Sequence, residues 1–205
     1  MIFSAQDKQR IEKAIAEVEA HSATEIVVGS VISAEDYSGL RSVVGAVAGL
    51  LCAFILSIFA PAIPIHWLLL AQLPPAVLFW WLAARGPVVR LFMPNNERRQ
   101  NVERRALLMF SEHGISNTRD RSGLLILLAE RERQAVILGV TGIHERVGNE
   151  GWQEHLTAII GGIKNRRAGD AVTEVIESLG VVLKRDFPRR EGDTNEPKNR
   201  VIEER

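Results

Sequence analysis

"GLLILLAERERQAVILGV", residues 123–140, holds two short apolar runs on either side of a charged link. Gly123–Ala129 is continuous and apolar, the pattern of a central strand buried on both faces. Gln134–Val140 repeats it, and "ERER" between them predicts an antiparallel hairpin. Upstream, "TEIVVGSVIS" (Thr24–Ser33) is rich in β-branched residues and reads as another strand.

Helical patterns surround these strands. Ser4 opens the first, with Asp7 placed as its capping-box partner. Ile11, Ile15 and Val18 follow at helical spacing, opposite Glu12, Lys13, Glu17 and Glu19. "NNERRQNVERRALLMFSEHG" (95–114) predicts a helix with Val102, Ala106, Met109 and Phe110 on its apolar side and Gly114 as C-cap. Trp152, Leu156, Ile159, Ile160 and Ile163 mark a further helix. Val172, Val175, Ile176, Leu179, Leu183 and Phe187 mark the last, which Pro188 ends. The order implies an α/β fold, a small mixed β-sheet covered by helices.

Between the first strand and the 95–114 helix lies a different kind of sequence. From Ser42 to Ala84, about 43 residues pass without Lys, Arg, Asp or Glu. A membrane span needs about 20 apolar residues, so the run is long enough for two and a turn. We place the spans at Ser42–Ala60 and Ile65–Ala84, with Pro61 and Pro64 in the turn and a kink at Pro74 and Pro75. Trp67 falls at the turn end, and Trp80 and Trp81 at the other, the levels that interfacial aromatics occupy. Arg41, Arg85 and Arg90 flank the spans, and the turn carries no basic residue. The positive-inside rule then puts both termini on the cytoplasmic side of a two-pass, bacterial-type inner membrane protein. The alternative, a pair of central helices in a soluble core, requires more surrounding chain than exists. His66, Gln72 and Cys52 are the notable polar or reactive side chains of the spans and make no ion path. Gly45 and Gly49 form one Gly-x-x-x-Gly, which suggests self-association into a homo-oligomer.

The 205 residues carry no net charge, which argues against nucleic acid as a partner. The single cysteine, Cys52, excludes an internal disulfide. The polar N-terminus lacks the apolar segment of a cleaved leader. Four segments follow: 1–41 and 85–190 as two parts of one α/β domain, 42–84 as the transmembrane hairpin, and 191–205 as a flexible charged tail.

If Thr24–Ser33 and Gly123–Ala129 pair in parallel, their connection is a crossover. The hairpin then leaves from the C-terminal end of the first strand, with the "ERER" turn near the membrane. Asp120 and Glu145 come to the distal end together.

"GISNTRDRSGLLILLAERERQAVILGVTGIHERVGNEGW" resembles the TPM-domain family, also called the TPM phosphatase family. The resemblance rests on an acidic residue before a strand-opening Gly, an Ala-Glu-Arg turn, "GIHERVG", a Trp, and two amphipathic helices ending "KRDFP". It extends over about Phe3–Ile32 and Arg99–Glu196. It implies an α/β sandwich with a mixed sheet, membrane association, and either an accessory role towards a membrane complex or divalent-cation-dependent phosphatase activity. Members with a proposed metal site carry Asp followed shortly by Asn-Asn-Gly. Here "RDRSG" keeps Asp120 and Gly123 but places Arg121 and Ser122 between them, and an arginine beside the site opposes cation binding.

Asp120 and Glu145 are the candidate metal ligands, for Ca or Mg, although a hard cation wants more oxygens than two carboxylates supply. The plainer alternative pairs Asp120 with Arg119 or Arg121 and leaves Glu145 as a solvated acid early in a helix. His113 and His144 flank these segments, where a histidine near a carboxylate could do acid–base work, but a lone histidine at a helix end is more often simply a helix-terminal residue. Ser122 lacks a nucleophile-elbow context. Arg98, Arg99, Arg104 and Arg105 suit anionic headgroups. The function expected is that of a membrane-anchored, non-catalytic accessory protein with lipid and a membrane protein as partners. The competing expectation is a phosphatase-like hydrolase.

Overall fold

The computed structural model describes residues 2–115, 123–189 and 200–204, with backbone alone at 141–142, 144–150 and 200. In chain order the elements are α1 (Ala5–Glu19), β1 (Glu25–Val31), α2 (Ser38–Phe59), α3 (Ile65–Ala71), α4 (Leu73–Leu82), α5 (Gly86–Phe92), α6 (Asn95–Glu112), β2 (Gly123–Ala129), β3 (Gln134–Gly139), α7 (Thr141–Lys164), α8 (Ala168–Asp186) and β4 (Arg200–Glu204). They fall into two compact units. The first is Met1–Ala34 with Asn96–Arg205, and the second is Glu35–Asn95.

The first unit is an α/β domain with a mixed sheet in the order β3-β2-β1-β4. β1 and β2 pair in parallel from Glu25↔Gly123 to Val31↔Ala129. β2 and β3 form the antiparallel hairpin, Leu124↔Gly139 to Ala129↔Gln134. Strand alternation sends side chains to opposite faces, and each face has its own core. Ile26, Val28, Leu124, Ile126 and Leu128 pack with Ile11 and Ile15 of α1, Ile159 of α7 and Ile176 and Leu179 of α8. Val27, Val31, Leu125 and Leu127 pack with Val102, Ala106 and Met109 of α6. Helices on both faces explain why β2 is buried along its whole length and reads as an unbroken apolar run. Gly29 lets α6 lie close, since a Cβ there would sit 2.6 Å from Met109 Sδ.

The capping box at α1 forms as the sequence implies. Asp7 N–H donates to Ser4 Oγ at 3.1 Å, and Ser4 N–H donates to Asp7 Oδ2 at 2.9 Å. Hydrogen bonds from the Ser4 side chain and backbone, with Arg10 nearby, hold the Asp7 carboxyl below its usual range.

Two features depart from the sequence reading, and a third sharpens it. Residues 191–205 are not all tail, because Arg200–Glu204 form β4, parallel to β1 with Val27↔Arg200 and Val31↔Glu204. Lys8 Nζ of α1 donates to Glu203 Oε2 at 2.7 Å, and Arg105 of α6 pairs with Glu204. Adjacent strand residues thus tie β4 to helices on opposite faces of the sheet. α7 begins at Thr141, well before the apolar periodicity that starts at Trp152. The kink expected at Pro74 and Pro75 appears as a break of the second apolar segment into two helices, α3 and α4, meeting at Gln72. Proline lacks the N–H that a continuous helix needs, which accounts for a break there.

The second unit is inserted where the first is tightly hydrogen-bonded. Glu130 and Arg131 N–H donate to the carbonyls of Val31 and Ile32, both at 3.0 Å. Glu132, fully buried, accepts at Oε1 from Ser33 Oγ and Ala34 N–H, both at 3.1 Å. Its carbonyl accepts from Arg98 Nη1 at 2.9 Å. The turn between β2 and β3 therefore holds the chain on both sides of the insertion. Glu132→Ala should cost about 2 kcal/mol, since hydrogen bonds to charged groups are worth about 1.5–3 kcal/mol. That corresponds to a Tm about 4–8 °C lower in mild detergent. Glu132→Gln, which keeps an acceptor oxygen, should recover part of the loss. An unchanged Tm in Glu132→Ala would remove the structural role assigned to this carboxylate.

Candidate membrane-interface site

The second unit carries the exposed apolar surface. α2 (22 residues, mean hydropathy 2.5) and the α3–α4 segment Ile65–Leu82 (18 residues, mean hydropathy 1.4) are each long and apolar enough to cross a membrane. Only 11% of the most apolar stretch of α2, and none of that in the second segment, is buried. Phe54, Ile58, Phe59, Leu69 and Val77 are all more than half exposed.

α2 and α4 pack antiparallel through glycine. Gly45 and Gly49 are the buried residues of α2. A Cβ at Gly45 would lie 2.7 Å from the Ala76 carbonyl oxygen, and one at Gly49 would lie 2.9 Å from that of Gln72. The Gly-x-x-x-Gly face read as a self-association motif is thus occupied within the chain, where small residues let two helix backbones approach.

That register brings charge and aromatic together at one end of the helix pair. The Arg41 guanidinium carbon lies 3.8 Å from the Trp80 ring centroid, and that of Arg85 lies 4.3 Å from Trp81. Such stacks contribute about 0.5–1 kcal/mol when exposed and about 2 or more when desolvated. Arg41 Nη1 is also 3.6 Å from Asp36 Oδ1. Tyr37, just before α2, is left-handed at φ 48° and buried. Arg85 precedes α5, a short helix the apolar periodicity does not reveal, and Arg90 lies in its last turn. At the other end Trp67 is exposed near the start of α3, with the His66 ring centroid 5.8 Å away.

The other sequence candidates are placed differently. Asp120 and Ser122 lie outside the described residues. Glu145 and His144 lie on α7, with only their backbone described. The start of β2 and the end of β3 lie side by side, because Val140 N–H donates to the Gly123 carbonyl at 3.2 Å. His113 directly follows α6. The arginine run is engaged inside the first unit. Arg99 Nε donates to Glu103 at 2.8 Å and Arg104 to Asn101 Oδ1 at 2.5 Å, while Arg98 and Arg105 make the bonds given above. Among the described residues no cluster of three His, Cys, Asp or Glu side chains could hold a metal ion.

A cavity of about 270 Å³ opens at the C-terminal end of β1, lined by Ile2, Ser30, Val31, Ile32, Glu130, Glu203 and Glu204. Strand ends of this kind bind ligands in open α/β sheets. Here Glu203 and Glu204 are already paired with Lys8 and Arg105, which directs them to structural work.

A mixed sheet of this order, with helices on both faces, defines the class as an α/β sandwich domain. Residues 85–182 match the family model described as the TPM domain, so this part of the chain is similar to that family. A solved structure, the NMR structure of BA42 protein from the psychrophilic bacterium Bizionia argentinensis, has a similar fold. Its TM-score is 0.60 at 19% identity, covering 98% of this chain and 95% of that one. No curated protein sequence matches.

Overpacking a tight contact costs about 1–3 kcal/mol. Gly49→Leu should therefore lower the Tm in mild detergent by several degrees. Gly39→Leu, where no described residue lies within 4 Å of a Cβ, should leave it unchanged. Equal effects at the two positions would refute glycine-mediated packing of α2 on α4.

Proposed function

We propose that this is a membrane-anchored TPM-domain protein, held by its hairpin at the cytoplasmic face of a bacterial-type inner membrane, where it acts as a non-catalytic accessory to a membrane partner. The observation that carries the reading is the exposure of α2, α3 and α4. Apolar helices of spanning length are left uncovered by their own chain, and burying that surface in water's absence is strongly favourable. The basic residues support the orientation. Arg41, Arg85 and Arg90 flank the apolar segment, and the turn between Phe59 and Ile65 has none. A topology reporter inserted at Ala62 should register the non-cytoplasmic side, and one at the C-terminus the cytoplasmic side. Both reporters on one side would sink the two-pass anchor.

One topological fact favours a second reading, a divalent-cation-dependent phosphatase. Gly123, three residues after Asp120 in the sequence, opens β2 at the end from which α7, bearing Glu145, departs. If these carboxylates hold Ca or Mg, the ion should raise the Tm, by about 2.7 kcal/mol of stabilisation at a hundredfold excess over Kd. Asp120→Ala should abolish that rise without unfolding the protein. No rise with either ion would count against the enzyme and leave the accessory role.

A further inference from the structure

We propose that the charged end of the hairpin is a binding site for the phosphate of an anionic phospholipid, built by Arg41 on Trp80 and Arg85 on Trp81. The proposal rests on the hairpin lying in a bilayer and adds a specific ligand class to it. The α2–α4 register sets Gly45 against Ala76 and Trp80, so Arg41, one helical turn earlier, comes over the Trp80 ring. Arg85, four residues after Trp81, comes over that ring in the same way. Neighbouring tryptophans thus hold two guanidinium groups at one end of the apolar pair. A guanidinium lying on a ring still directs its N–H groups outward in its own plane, the geometry that matches phosphate oxygens two at a time. Arg41 Nε is shielded from water and has no hydrogen-bond partner among the described residues. Arg85 has no ion-pair partner among the described residues, so the acid Asp36 leaves this pair of cations in excess.

The apolar surface beside them selects a lipid over free phosphate. Val43 and Val47 on α2, soon after Arg41, and Val77 on α4, one turn before Trp80 and Trp81, are exposed where acyl chains would lie while the headgroup meets the cations. A phosphatidylcholine headgroup carries its own cation. An anionic headgroup does not, and it gains the full attraction.

The test uses the full chain in phosphatidylcholine vesicles with a small fraction of spin-labelled phosphatidylglycerol or spin-labelled phosphatidylcholine. The wild type should immobilise the anionic label preferentially, by about fivefold for each arginine engaged. Arg85→Gln and Arg41→Gln should each lose most of their share, and Arg85→Lys should fall between, because it keeps charge but not the planar fork. Equal immobilisation of both labels by the wild type would overturn the site. So would an anionic preference that survives in the double Arg41→Gln/Arg85→Gln protein. Should that double protein fail to insert, the single variants decide alone. Inorganic phosphate that abolishes the preference, where chloride at equal ionic strength does not, would reassign the site to free phosphate and overturn the lipid. A chain that does not float with the vesicles defeats the membrane reading itself. One that floats without preference defeats only the headgroup site.

Discussion

The parallel pairing of β1 with β2 is the constraint on which the rest depends. Two parallel neighbours cannot be joined by a tight turn, so the chain must cross from the end of one strand to the start of the other. α6 makes that crossover and covers one face of the sheet. A connection that is long by necessity tolerates being longer, because closure entropy grows only slowly with length. The second unit occupies this connection without disturbing a single rung of the β1–β2 ladder.

What makes the insertion orderly is the β2–β3 turn. Backbone bonds from Glu130 and Arg131 extend the pairing past Val31, and Glu132 then takes hold of Ser33 and Ala34 while its carbonyl holds Arg98. A buried carboxylate is costly unless it is hydrogen-bonded, and here the two bonds that Oε1 accepts also secure the chain where it leaves the domain, while the Glu132 carbonyl holds Arg98 where it re-enters. Within the second unit the corresponding role falls to glycine. Gly45 and Gly49 bring α2 against α4, and this spacing in turn sets Arg41 over Trp80.

Much of this was legible along the chain. The apolar runs at Gly123–Ala129 and Gln134–Gly139, the Ser4–Asp7 cap and the proline interruption near Gln72 are local properties, and each appears where the pattern placed it. The aromatic and basic residues at the hairpin's charged end were also visible as a group. Their pairing was not, since the stack depends on helix register. Glu132 was hidden for a similar reason. In "ERER" it looks like any solvated turn residue, and only its surroundings show it to be buried.

β4 shows the boundary most clearly. Arg200–Glu204 lies in a charged segment that reads as tail, and it becomes a strand because β1 offers an open parallel edge and Lys8 and Arg105 neutralise its two glutamates. Periodicity, apolar length and capping chemistry act between residues close in sequence, so they settle where helices, strands and spans form. Edge pairing, buried charge and ring stacking join residues far apart in the chain. Those features exist only once the fold has brought the partners together.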